Sequence, residues 1–339
     1  MPDTLTLPRL DDLHVHLRQD ALAAQVAPLT WTGGAGRVLV MPNLRPALTT
    51  VEAVLAYRAA LQAIEPRLDY LMSICLHPGL DRSAVRAAAA AGIRVLKWYP
   101  HGVTTNSSLT GSLSECAEAC AAAQDEGLIV SLHGEAPDDP AQGIDRMNAE
   151  QAFLPQLVAL HQRFPRLRII FEHATSAAAI STLADLGPTV AATITPHHLL
   201  LTADDWQTDP HSYCKPVAKT AADRAALQAV VASGDPRYFL GSDSAPHPAA
   251  AKAGNQPAAG IFTAPILAPL LADIFDTLGC LDQLPAFATT RGAAFYDLPP
   301  AQGRISLQRR PSRIPAQING LIPLRAGHDL KWTLGACKE

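Results

Sequence analysis

The feature that most constrains this chain is an alternation repeated eight times. Short apolar runs rich in β-branched residues occupy 10–17, 37–41, 70–76, 93–98, 128–132, 167–171, 190–194 and 238–240. Between them lie segments with the 3.6-residue spacing of amphipathic helices. The runs are apolar on both faces, the pattern of strands buried between an inner core and a layer of helices. One strand plus one helix takes roughly 30 residues, and eight such units make a (β/α)8 TIM barrel of about 250 residues. An open doubly wound sheet is the rival, but it usually carries a glycine-rich phosphate turn after its first strand. Here that position reads His14-Val15-His16. The expected fold is α/β, a (β/α)8 barrel.

Local signals place some of the helices. Thr49 and Glu52 have the spacing of a capping box ahead of Val51, Val54, Leu55 and Leu61. Ser176 is placed to cap a helix carrying Ile180, Leu183 and Leu186, with Gly187 just past its end. Further helices are expected over 81–91, 112–126, 149–162, 220–233 and the apolar stretch 261–278. Segment 299–339 is rich in Pro and Arg, then strand-like at 330–334. It reads as a tail packed on the barrel, and with no linker in sight residues 1–339 are expected to form one domain.

Composition removes several function classes. The 339 residues, 48% of them hydrophobic, are ample for a full core. Lys+Arg number 27 against 31 Asp+Glu, so no basic surplus exists to neutralise a nucleic-acid backbone. The longest apolar run, near 264–271, falls far short of the ~20 residues that span a bilayer. No basic segment followed by an apolar one opens the sequence. The six cysteines (75, 116, 120, 214, 280 and 337) include no CxxC pair and read as reduced thiols of a cytoplasmic protein. Neither a membrane nor a nucleic acid is an expected partner.

Polar residues crowd the C-terminal ends of the strands, the rim where barrel enzymes build their sites. The first run ends His14-Val15-His16-Leu17-Arg18, and a period of two puts His14, His16 and Arg18 on one face. Later runs end at Asn43, Lys97, His133-Gly134-Glu135, Glu172-His173, Thr195-Pro196-His197-His198 and Asp243-Ser244-Ala245-Pro246-His247. A single strand-end histidine or lysine is ordinarily a satisfied polar residue. Four histidines, a lysine and an aspartate around one rim suit divalent zinc, which takes N and O ligands and keeps a position open for water. His14 and His16 can grip one metal with Asp243 opposite, and His133 and His173 a second. Two cations ~3.5–4 Å apart need an anionic bridge and a shared hydroxide. The Lys97 amine, once deprotonated, can add CO2 to become a carbamate with one oxygen for each metal. Arg18, one strand step beyond two candidate ligands, reads as an anion clamp rather than an ordinary ion-pairing group.

These residues closely resemble the dihydroorotases of the amidohydrolase superfamily, in the shorter type of bacteria and fungi. The matching strings are DDLHVHLR (11–18), MPNL (41–44), KWYP (97–100), TTNSS (104–108), HGE (133–135), EHATS (172–176), ATITPHHL (192–199), YCKP (213–216) and GSDSAPH (241–247). The match runs on into the tail and spans essentially the whole chain. The resemblance implies two Zn2+ per subunit, held by His14, His16 and Asp243 and by His133 and His173, and bridged by carbamylated Lys97 and a hydroxide. It implies that Arg18, Asn43 and His247 bind the α-carboxylate of dihydroorotate, and that main-chain groups of Lys215 and Ala259 hold the pyrimidine ring. Thr104 and Thr105 would sit on a loop that closes over substrate, and Asp243 would carry the proton. The implied reaction is reversible hydrolysis of dihydroorotate to N-carbamoyl-L-aspartate, the third step of pyrimidine synthesis, by a homodimer.

The chain departs from the family pattern in places. Lys215 stands where an apolar residue is usual, although a main-chain contact survives that change. The loop after His247 lacks the cysteines some relatives carry, and His197 replaces a common Gln and receives no role. His77, His101, His161, His211 and His328 fall outside the ligand set. A hydantoinase- or allantoinase-like cyclic amidase is the neighbouring alternative, since it shares the metals without needing a carboxylate clamp. A catalytically dead barrel kept as a scaffold is the alternative from another class, and typically lacks ligands that are all present here.

Overall fold

The computed structural model of the protein describes residues 3–102 and 111–335. The chain enters through a strand outside the repeat, β1 (Thr4–Pro8), and then alternates: β2 (Leu10–Val15), α1 (Asp20–Thr32), β3 (Ala35–Val40), α2 (Val51–Ile64), β4 (Asp69–Cys75), α3 (Arg82–Ala90), β5 (Val95–Trp98), α4 (Ala117–Glu126) and β6 (Ile129–His133). It continues with α5 (Ala149–Arg163), β7 (Arg168–Glu172), α6 (Ala177–Asp185), β8 (Val190–Ile194), α7 (Ala203–Thr208), α8 (Ala221–Ser233) and β9 (Tyr238–Leu240). After the last barrel strand come α9 (Ala249–Lys252), α10 (Leu267–Thr277) and α11 (Arg291–Phe295). Four short strands finish it: β10 (Arg304–Gln308), β11 (Ser312–Arg313), β12 (Asp329–Leu330) and β13 (Thr333–Leu334).

Strands β2 to β9 form one parallel sheet in chain order, the eight-strand alternation expected from the sequence. The first and last strands meet just beyond their ends, where the Asp243 N–H donates to the His14 carbonyl at 2.9 Å and the His16 N–H to Ser244 at 3.0 Å. The seam of the barrel is thus stitched at two candidate ligands. Period-two geometry sorts the side chains. Leu39, Leu71, Val95, Ile129, Ile170 and Phe239 fill the inside, while Val38, Met72, Leu96, Val130 and Phe171 pack outward under the helices. Burying each such side chain stabilises the fold by about 1.5–3 kcal/mol, which is why the runs are apolar on both faces.

Helix ends follow local chemistry. Ser176 caps α6 by accepting the Ala179 N–H at 3.1 Å, and Gly187 takes the left-handed conformation (φ 74°) just after its end. The cap of α2 is Thr50 rather than Thr49: its hydroxyl accepts the Ala53 N–H at 3.2 Å, because the helix starts one residue later than the Thr49/Glu52 spacing implied. The helix expected over 112–126 begins only at Ala117, because Ser112 and Glu115 bond each other's main-chain N–H groups and close a separate turn first. Likewise 261–278 is α-helical only from Leu267, after a short 3-10 turn at Ala264–Ile266, its first residues being drawn into bridges with Ser244 and Pro323. Helix α1 was not foreseen, since Pro28 lies inside it and Gln19 provides no side-chain cap.

The N-terminal strand joins the tail as an edge strand: β1 pairs antiparallel with β10, and β10 with β13. Trp332 is fully buried and its indole N–H donates to Asp276 of α10 at 3.2 Å, where Arg309 also docks at 2.6 and 2.9 Å. The five described cysteines are buried. Among the described residues no helix is long and apolar enough to cross a membrane.

Candidate metal centre and anion pocket

At the C-terminal rim, His14, His16 and Asp243 bring one donor atom each to within 4.8 Å of one another. His16 Nε2 lies 3.0 Å and His14 Nε2 3.5 Å from the same Asp243 oxygen. The ring of His173 stands 5.1 Å from that of His14 and 4.6 Å from that of His133, so the four imidazoles form one continuous group. Burial pushes the His133 and His173 imidazoles toward the neutral form and takes His16 down to about 4. Neutral imidazole is the ligand form. Asp243 is pushed up by burial, but the His16 hydrogen bond and the neighbouring His14 outweigh this and hold the carboxylate well below its usual range.

Lys97 is fully buried, and its Nζ has no hydrogen-bond partner. Burial lowers its amine to about 8 despite the opposing pull of Glu172 and Asp243. His173 Nδ1 is also buried without a partner. Each such orphan costs about 1–3 kcal/mol if nothing satisfies it. A donor set of neutral imidazoles, one ionised carboxylate and a depressed amine, with orphaned nitrogens aimed among them, fits divalent cations and an anionic bridge.

Residues to which the sequence reading gave no role hold these groups in place. Glu172 accepts from His14 Nδ1 at 2.8 Å, from the Thr193 hydroxyl at 2.6 Å and from Ser131. This fixes the His14 proton on Nδ1 and leaves Nε2 for a metal, the usual carboxylate–histidine support. Burial opposes ionisation of Glu172, but His14 and Lys97 take it down to about 2. Glu135 does the corresponding work at His133, 3.0 Å from Nε2. Asp12 holds the strand that carries Asp243, accepting the Ser242 N–H at 2.7 Å and its hydroxyl at 2.6 Å.

Glu172 and His173 are adjacent, and strict alternation would turn one of them away. His173 has a positive φ of 43°, Asp243 one of 45° and Arg18 one of 63°. Such left-handed non-glycine residues cost about 1–3 kcal/mol each and cluster at functional sites. Here the left turn lets consecutive side chains reach the same centre. Gly241 is needed for the same crowding, since a Cβ there would lie 2.7 Å from the Thr193 side chain and 2.9 Å from His14 Cβ.

A cavity of about 710 Å3 opens above this group. His14, His16, His133, His173 and Asp243 line its floor, and Arg18, Asn43, Lys215, His247 and Ala259 its walls. The Arg18 Nε donates to the Pro246 carbonyl at 3.0 Å, and Tyr57 donates to the Arg18 carbonyl. His247 Nε2 lies 3.0 Å from both Arg18 Nη2 and the Ala259 carbonyl. One ring nitrogen cannot accept from the first and donate to the second at once. Asn43 Oδ1 is buried without a partner. Thr104 and Thr105 lie outside the described residues.

A second group, His197, His198 and Cys214, also gathers three donors within 4.8 Å and is fully buried. The nitrogens of His198 are taken, while both ring nitrogens of His197 are buried without a partner. The Thr195 hydroxyl accepts the His198 main-chain N–H at 3.0 Å and so donates to Nδ1 at 2.9 Å. Nε2 then carries the ring proton and donates to the Pro216 carbonyl at 3.0 Å, which the Cys214 thiol also meets at 3.1 Å.

No family model matches the chain. A curated protein of Schizosaccharomyces pombe named "Probable dihydroorotase" is 44% identical over 333 residues, covering 97% of this chain and 98% of that one. The crystal structure of dihydroorotase from Saccharomyces cerevisiae in complex with 5-fluoroorotic acid superposes with a TM-score of 0.95 at 37% identity, covering 98% of this chain and 99% of the other. An L-hydantoinase from Arthrobacter aurescens, at 17% identity and a TM-score of 0.79, shares the barrel fold. The near-complete coverage at this level of identity shows that the chain belongs to the dihydroorotases.

Proposed function

We propose that His14, His16 and Asp243 hold one Zn2+, that His133 and His173 hold a second, and that Lys97, carbamylated by CO2 with loss of one proton, bridges the pair. The enzyme is a hydrolase of cyclic amides, and its reaction is the reversible opening of dihydroorotate to N-carbamoyl-L-aspartate in pyrimidine synthesis. The observation that carries the site assignment is the convergence of His14, His16 and Asp243 on the floor of the cavity whose wall bears Arg18 and His247. When bound, the metals lower the pKa of water and polarise a carbonyl.

The chain's own residues do the rest. Arg18 pairs with the substrate carboxylate as a charge-assisted clamp, with Asn43 and His247 completing the anion site. The main chain at Lys215 and Ala259 meets the ring, and Thr104 and Thr105 close over it and exclude water. Asp243 accepts the proton of the attacking water and returns it to the ring nitrogen as the C–N bond breaks, and the same group runs in reverse on cyclisation. Residues 1–339 act as one domain with the 299–339 tail packed on the barrel, in a cytoplasmic homodimer.

Absorbance at the dihydroorotate band, followed before and after chelation, tests this reading. Loss of turnover on chelation and recovery with added Zn2+ are expected. Hydantoin and allantoin serve as competitors: neither has a carboxylate for Arg18, and equal turnover of either would remove the clamp from the mechanism.

A further inference from the structure

The loop after β9 crosses the cavity mouth carrying His247 and Ala259, and it is anchored from below. Lys252, at the end of α9, is only 4% exposed. Its ammonium donates to the Tyr213 carbonyl at 3.0 Å and to the Gly260 carbonyl. The Tyr213 carbonyl also takes the Gly260 N–H at 3.0 Å, and the loop closes on itself where Ala258 donates to Ala251 at 2.9 Å. Gly260 has φ 147° and passes so near the chain that a Cβ would meet the Ala245 carbonyl at 2.3 Å. The result is a staple between two main-chain stretches. One is followed by Lys215 and the other preceded by Ala259, and both of these residues line the cavity.

We propose that Lys252 is a positioning residue for the substrate ring: by holding the Tyr213 and Gly260 carbonyls it sets the separation of the Lys215 and Ala259 main chains before substrate arrives. Burying a lysine side chain costs rotamer freedom and desolvation, which a purely surface loop has no need to incur. The loop in this reading is a fixed wall, and Lys252 touches neither the metals nor the reacting bond. The proposal rests on the assignment of Lys215 and Ala259 as ring contacts.

The test compares the parent holoenzyme with Lys252→Met, which keeps an unbranched apolar stem and removes the donors. KM for dihydroorotate is expected to rise about tenfold while kcat stays within about threefold, the signature of lost uniform binding. Amide exchange is read in parallel without turnover: the Ala258 and Gly260 N–H groups are protected in the ligand-free parent and exchange about tenfold faster in the variant. Lys252→Gln, whose amide stops one bond short of the two carbonyls, is the second variant should Met not fold, and it carries the same expectation. An unchanged KM in a folded, metal-loaded variant overturns the proposal, as does rapid exchange of Ala258 and Gly260 in the parent. A parent that binds metal but leaves dihydroorotate intact sinks the reaction assignment instead, and the exchange result then still decides the role of Lys252.

Discussion

Among the described residues two buried clusters of three donors sit within the same barrel mouth, and they differ in how many donors each leaves for a metal. By residue type they look alike: His14, His16 and Asp243 in one, His197, His198 and Cys214 in the other. They differ in where the lone pairs go. In the first, Glu172 takes the Nδ1 proton of His14 and thereby turns a free Nε2 toward Asp243. In the second, a hydroxyl and a main-chain carbonyl occupy both nitrogens of His198. With His198 saturated and burial pushing the Cys214 thiol up, only His197 keeps unpartnered nitrogens there, so the second cluster offers a cation one free imidazole where the first offers two imidazoles and a carboxylate.

The largest effect that sharpens this contrast is at Asp243. Asp243→Ala removes both a ligand and the proton carrier, so kcat is expected to fall by at least about 10³-fold, within the range for general acid–base groups. Metal analysis should show one equivalent lost. Retained turnover with both metals bound would take Asp243 out of the acid–base role. Lys97→Met comes next. It is expected to lose the bridged pair and most activity, and intact mass of the parent under native conditions should exceed the sequence mass by one CO2. Active, metal-loaded parent at the bare sequence mass would reject the carbamate.

Glu172→Gln asks whether the support beneath His14 matters. The amide keeps the shape but loses the negative charge that holds and polarises the His14 N–H, so metal affinity is expected to fall 10- to 100-fold. Competition with a chromogenic chelator measures this directly. An unchanged affinity would mean that His14 orientation is set by packing alone.

Much of this was legible in the sequence because strand periodicity carried it. The eight runs specified the barrel, since each had to be apolar on two faces, and His14, His16 and Arg18 emerged on one face of β2 as a period of two requires. The ligands on other strands were legible as strand-end residues. What alternation hid was the residue next door. Glu172 was named at its strand end without a role, and it is the left-handed turn at His173 that brings both to one centre. Glu135, Asp12 and Lys252 were hidden for a different reason: their partners are a ring nitrogen, a Ser242 hydroxyl and main-chain carbonyls far along the chain, which no local spacing encodes. The Thr49 and Thr50 pair shows the limit at element ends, where two adjacent hydroxyls satisfy the same rule and only the start of the helix decides between them.

The smallest expected functional effect lies in the second cluster, and it bears most directly on the contrast. His198→Phe keeps the ring shape and removes both nitrogens, leaving the buried Thr195 hydroxyl without its acceptor and the Pro216 carbonyl without the ring N–H. A lost buried partner costs about 1–3 kcal/mol, so thermal or urea unfolding should register a loss of that size. Metal content should stay at the parent value and kcat within about twofold, because no lone pair of His198 is available to a cation. The opposite result, one metal equivalent lost with stability unchanged, would show that His198 gives up its carbonyl to bind an ion. Donor saturation would then be no guide to which cluster holds metal in this barrel.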